Sequence, residues 1–159
     1  MFSALGLAQD RTPTGQSVPP IFATAVRDIA PAAQPGSWVI QIVSRGGITG
    51  RGTGDVVVRS EGTLALSEPA AAKPSAGAQP IGPDLMRPLH ERVQAALPSQ
   101  WTGSHLSSTC SDCDVTLMVI ARRDANGAVR THTAFWDAIT KRGVPAEVLR
   151  IYEAALTLK

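Results

Sequence analysis

Asp114-Val-Thr-Leu-Met-Val-Ile-Ala-Arg-Arg123 is the segment on which the fold turns. Val115, Leu117 and Val119 share one side of an extended chain, and Met118 and Ile120 share the other. A strand that is apolar on both sides belongs at the centre of a sheet. Asp124-Ala-Asn-Gly127 follows, with an Asn-Gly pair suited to the left-handed angles of a hairpin, and residues 128–136 return as the partner strand. Working towards the N-terminus, Trp38-Val-Ile-Gln-Ile-Val43 is rich in β-branched residues and reads as a strand. Residues 55–60 form a second strand, and Glu61-Gly62 turns the chain into a short third strand at 63–66.

Two segments carry helical spacing. Asp84 is placed to cap a helix reaching about Leu97, with Leu85, Leu89, Val93 and Leu97 on one stripe and Pro98 ending it. Gly143-Val-Pro-Ala-Glu opens a last helix whose apolar face holds Val148, Tyr152, Ala155 and Leu156. Residues 67–83, with four prolines, and residues 101–111 read as loops. Hairpins joined in sequence and helices between them predict an α+β fold. The expected form is an antiparallel sheet of four to five strands with two helices packed on one face. Leu89, Val93, Leu117, Val119, Phe135 and Tyr152 are its expected core.

Composition removes several functions. Hydrophobic residues make up 43% of the 159-residue chain, enough for a packed core. The formal net charge of +2 is too small for an electrostatic nucleic-acid binder, and 4% aromatic residues leave little for base stacking. No apolar run reaches the roughly 18 residues of a membrane span. Residues 1–8 are apolar, end on Gly6-Leu7-Ala8, and give way to Gln9-Asp10-Arg11. Small residues three and one before such a boundary mark a signal-peptidase site. Residues 1–36 therefore read as a signal-peptide remnant and a flexible Pro-rich tail, in which Ile21, Phe22, Val26 and Ile29 stand out as apolar. Residues 37–159 read as one domain, secreted or periplasmic.

Cys110 and Cys113 are the only cysteines. In an exported chain a local disulfide is the default. A metal is the alternative, because His105 precedes Cys110 at a short spacing and His132 lies on the returning strand, but there is no second cysteine pair. A thioredoxin-type role needs a helix after the motif, and here a strand follows. Ser44-Arg-Gly-Gly-Ile-Thr-Gly-Arg-Gly-Thr-Gly54 holds five glycines in eleven residues, yet a strand follows it and Gly-Lys-Ser/Thr is missing. That argues against a phosphate loop. No Gly-x-Ser-x-Gly elbow occurs, and no set of residues amounts to a catalytic site.

The segment Ser44-Arg-Gly-Gly-Ile-Thr-Gly50 resembles the Ser-Gly-Gly-Phe-Ala-Gly type of segment in emfourin-like proteins, small bacterial inhibitors of thermolysin-like metallopeptidases. The order of elements is similar too: a first hairpin, a helix, a second hairpin with an Asn-Gly turn, and a Pro-started C-terminal helix. The resemblance covers about residues 38–157. Arg45 between serine and Gly-Gly, Ile48 in place of the aromatic, and a longer proline-rich loop are its differences. The resemblance implies no catalysis, no cofactor and a protein partner, a metallopeptidase. The expected contact residues are Ser44, Arg45, Gly46, Gly47, Ile48, Thr49 and Gly50, with Ile48 offered to an apolar pocket. The competing expectation is a non-catalytic structural or interaction domain of an exported protein, with metal bound at Cys110 and Cys113.

Overall fold

The structure, a computed structural model, describes residues 29–46, 54–67, 77–96, 102–106 and 114–159. It is an α+β fold. The strands are β1 (Trp38–Arg45), β2 (Gly54–Arg59), β3 (Thr63–Ser67), β4 (Gln79–Pro80), β5 (Gly103–His105), β6 (Val115–Arg123) and β7 (Val129–Asp137), and the helices are α1 (Pro83–Ala95) and α2 (Ala146–Leu156). All seven strands belong to one sheet in the order β4-β3-β2-β1-β6-β7-β5. The expectation of four to five antiparallel strands is corrected on two counts. β4 pairs antiparallel with β3, and β5 pairs parallel with β7. Both extra strands are two or three residues long and lack apolar alternation, so only their tertiary partners make them strands.

β1 and β6 sit at the centre. β1 pairs with β6 along its whole length, Trp38 opposite Arg122 through Arg45 opposite Val115. The predicted two-sided burial of β6 is observed. Met118 and Ile120 join Trp38, Ile40, Ile42, Val56, Val58, Ala134 and Trp136 on one face. Leu117 and Val119 join Val43 and Phe135 on the other. Both helices cover the first face, α1 through Met86, Leu89 and Val93 and α2 through Val148, Ile151 and Ala155. Each fully buried aliphatic side chain here contributes about 1.5–3 kcal/mol relative to exposure.

The buried stripe of α1 differs from the predicted one. Leu85 is 67% exposed and Met86 is buried. At about 100° per residue, Met86 and Val93 lie on one side of Leu89 and Leu85 on the other, in the first turn. The cap differs as well. Gly82 occupies the N-cap position without a side-chain cap, and Asp84 lies inside the first turn, paired with Arg87. In α2 Pro145 is the N-cap residue itself. Of the expected core, Leu89, Val93, Leu117, Val119 and Phe135 are buried, whereas Tyr152 is half-buried at the core margin. The β2–β3 and β6–β7 turns each use one left-handed glycine, Gly62 at φ +84° and Gly127 at φ +83°. Asn126 instead accepts from the Ala128 N–H through its side chain.

Residues 29–37 lie against the sheet. Gly36 N–H donates to the Arg123 carbonyl, the Ser37 hydroxyl donates to the Ala32 carbonyl, and Pro31 is buried.

Candidate functional site

The chain leaves β1 and re-enters β2 at one end of the sheet, and the neck of that loop is defined. Ser44 pairs with Gly54. The Arg45 guanidinium grips the Asp55 carboxylate with both arms, Nη1 to Oδ1 at 2.7 Å and Nη2 to Oδ2 at 3.1 Å, and Nη1 also donates to the Ser44 carbonyl at 2.9 Å. Such a fork-on-carboxylate pair fixes direction as well as distance. Gly46 then takes φ +111°, an angle that side chains disfavour. Of the expected contact residues, Ser44, Arg45 and Gly46 are described; Gly47, Ile48, Thr49 and Gly50 lie outside the described residues, as do Cys110 and Cys113.

Ser44 itself is buried. It begins a polar row that the strand register carries across the helix-covered face. Ser44 is opposite Thr116, Thr116 opposite Trp136, and Trp136 opposite His105. The Trp136 Nε1 and His105 Nε2 atoms are buried without a hydrogen-bond partner among the described residues. Tyr152, from α2, closes over this row. Its ring meets Trp136 edge-on at 5.3 Å, its hydroxyl bonds with Thr116, and the Lys141 ammonium lies 5.5 Å from its centroid. Sequence reading weighed His105 only as a metal ligand and overlooked Thr116 and Trp136. The row exists only once four strands are in register.

The turn after β7 ends at the same edge of the sheet. The Asp137 carboxylate is buried and accepts from the Ile139 N–H at 2.8 Å and the Thr140 N–H at 3.2 Å. The turn thereby presents Ile139, 77% exposed, two strands from the glycine loop. With strands about 4.8 Å apart, loop neck and Ile139 turn are separated by about 10 Å across the sheet.

The histidines do not assemble. His132 is opposite Ile120, four residues before Trp136 on β7, and so lies about 13 Å along the strand from the His105 position. His90 accepts from the buried Trp38 indole at 3.1 Å. Among the described residues no three His, Cys, Asp or Glu side chains converge on a metal position. An open cavity of about 350 Å³ lies at the far end of the sheet, lined in part by Ser60, Glu61, Met86 and His90. There the Ser60 hydroxyl accepts from the Trp38 N–H and donates to Glu61. Serine and histidine each serve Trp38, not one another. Among the described residues no helix is long and apolar enough to cross a membrane.

Burial raises the Tyr152 pKa above the usual tyrosine value; the Thr116 hydrogen bond pulls it down and Glu153 pushes it up. Because the folded value is raised, the associated stability is present below the unfolded value of about 10 and is lost as pH rises through the folded one. Tyr152 is the only tyrosine, so phenolate absorbance reports on it alone. Its midpoint is expected above that of the denatured chain. Thr116→Val is expected to move it further up, and a midpoint equal to the denatured one would place the ring in water.

Comparison of the chain with protein-family models, with curated proteins and with solved structures gives no match.

Proposed function

We propose that the chain is an emfourin-like proteinaceous inhibitor of thermolysin-like metallopeptidases, acting in the secreted or periplasmic space. Its glycine loop blocks the active-site cleft with residues 46–50, and Ser44 and Arg45, which are buried or clamped in β1, carry it rather than enter. The observation that carries the proposal is the neck of that loop. A loop that enters a cleft is best carried on a rigid base, which limits the ordering cost of binding. The base is β1, a central strand, closed by the Ser44–Gly54 pairing and the bidentate Arg45–Asp55 bond. Beyond it stand Gly46, Gly47 and Gly50, where the absence of Cβ atoms allows close approach of backbone to a cleft wall. Ile48 is the apolar side chain of the tip, and burying it in a pocket is worth about 1.5–3 kcal/mol before ordering costs. The proposal requires no cofactor and no catalytic group in this chain.

The test is inhibition of thermolysin by the purified chain, read beside thermal unfolding. Ile48→Asp is expected to weaken inhibition by at least about tenfold, the equivalent of about 1.4 kcal/mol, with the melting temperature unchanged. Unchanged inhibition by a folded Ile48→Asp variant removes the loop from the interface. Absence of inhibition by the wild-type chain returns the reading to a non-catalytic interaction domain.

A further inference from the structure

The sheet face opposite α1 and α2 is as dry as the one that carries them. Val39, Val43, Leu117, Val119 and Ala121 are fully buried and Phe135 nearly so. Yet among the described residues the partly buried apolar side chains packed on the Val43, Leu117, Val119 and Phe135 cluster are Ile29 and Val115. Two side chains do not enclose a patch that spans three strands. The structure shows where the chain comes from. Arg59 of β2 and Arg123 of β6 both lie on this face by strand alternation. They hold the incoming backbone, Arg59 Nη1 donating to the Ala30 carbonyl at 2.8 Å and Arg123 Nε to the Ala32 carbonyl at 2.7 Å. The chain is thus tied onto the face at 30–32, and Ile29 already packs on its apolar cluster.

We propose that residues 21–28 form an amphipathic helix of this chain that docks across the second face of the sheet, with Ile29 as its C-terminal flank, making the domain three layers deep. Ile21, Phe22, Ala25, Val26 and Ile29 recur at i, i+1, i+4, i+5 and i+8, a single helical stripe, with Thr24, Arg27 and Asp28 off it. Pro20 suits the first helical position, and Pro31 stops a helix before it. A helix over 21–28 is about 12 Å long. The cluster runs from Val43 on β1 through β6 to Phe135 on β7, about 10 Å of sheet. Among the other segments outside the described residues, 47–53 and 68–76 are dominated by glycine, alanine and proline, 107–113 is polar, and 97–101 holds two large apolar residues, Leu97 and Trp101; residues 1–8 are apolar but lie about twenty residues before the tether at 30–32, whereas 21–29 runs directly into it.

The experiment uses the full chain. Hydrogen exchange is expected to find the amides of residues 22–28 at least roughly a hundredfold slower than those of 9–16. Trypsin is expected to cleave after Arg27 at least roughly tenfold faster in the Phe22→Asp/Val26→Asp variant than in the wild type, with a rise in fluorescence of an apolar-surface dye. Leu7→Asp, outside the stripe, is expected to change neither. Equal exchange over 9–16 and 22–28 in the wild-type chain overturns the proposal even if the double variant fails to fold. Slow exchange that appears only at concentrations where the chain is dimeric assigns the face to a second copy and overturns it too.

Discussion

Val119→Asp is expected to unfold the domain as completely as Ile120→Asp, although the two residues are neighbours that point to opposite faces of β6. Ile120 lies under α1 and α2 and Val119 on the opposite face of the sheet, and both are fully buried. Each substitution removes the transfer energy of an aliphatic side chain, about 1.5–3 kcal/mol. Each also places a carboxylate away from water, at several kcal/mol unless it finds a partner. Their sum rivals the 5–15 kcal/mol that holds a typical domain together. In a two-layer sheet with one wet face, the Asp at 119 would reach solvent and cost little. Circular dichroism and urea titration of both variants at pH 7 decide the matter, with Thr131→Asp as the exposed control on β7. A folded Val119→Asp domain with near-wild-type urea midpoint would show that the second face is open to water.

That two-sidedness was legible in residues 114–123, and it fixed the centre of the sheet. The five longer strands and the two helices follow from alternation and from helical spacing, because each buries a face whose period the residues record. What the residues do not record is partnership. Gln79–Pro80 becomes a strand because Ile81 N–H reaches the Gly62 carbonyl and Gln79 falls opposite Leu64. Gly103–His105 becomes one because it lies parallel to β7 at the edge of the sheet, with β6 intervening in the chain between the two. The polar row is subject to the same limit. Ser44, Thr116, Trp136 and His105 are scattered over the sequence and meet only through three independent registers. At the candidate loop the glycines, the following strand and Ile48 were readable. The Arg45–Asp55 clamp was not, since it depends on which pair closes the neck.

Trp38→Ala should be the most damaging truncation in the core. The ring is fully buried where β1 begins, in the cluster that contains Met86 and Leu89 of α1. It holds α1 in two ways. Its Nε1–H donates to His90 Nδ1 at 3.1 Å, and the two rings lie 6.1 Å apart. Its backbone also fastens the β2–β3 turn, with Trp38 N–H donating to the Ser60 hydroxyl and Ser60 N–H to the Trp38 carbonyl. Truncation keeps these backbone bonds but opens a cavity between sheet and helix, at about 3–5 kcal/mol. For a domain of this size that corresponds to a fall in melting temperature of roughly 10–20 °C. Trp38→Phe separates the two contributions, because it retains much of the apolar volume and deletes only the donor. His90 is exposed, so water can satisfy its freed nitrogen, and the expected loss is about 1–2 kcal/mol. His90→Ala attacks the same bond from the other side and leaves the indole donor to be satisfied by water entering beside α1, at about 1–3 kcal/mol. If the bond is the shared cause, Trp38→Phe and His90→Ala together cost less than the sum of their separate effects. Strict additivity in urea unfolding would mean that the Trp38–His90 contact contributes nothing, and that Trp38 stabilises the domain by packing alone.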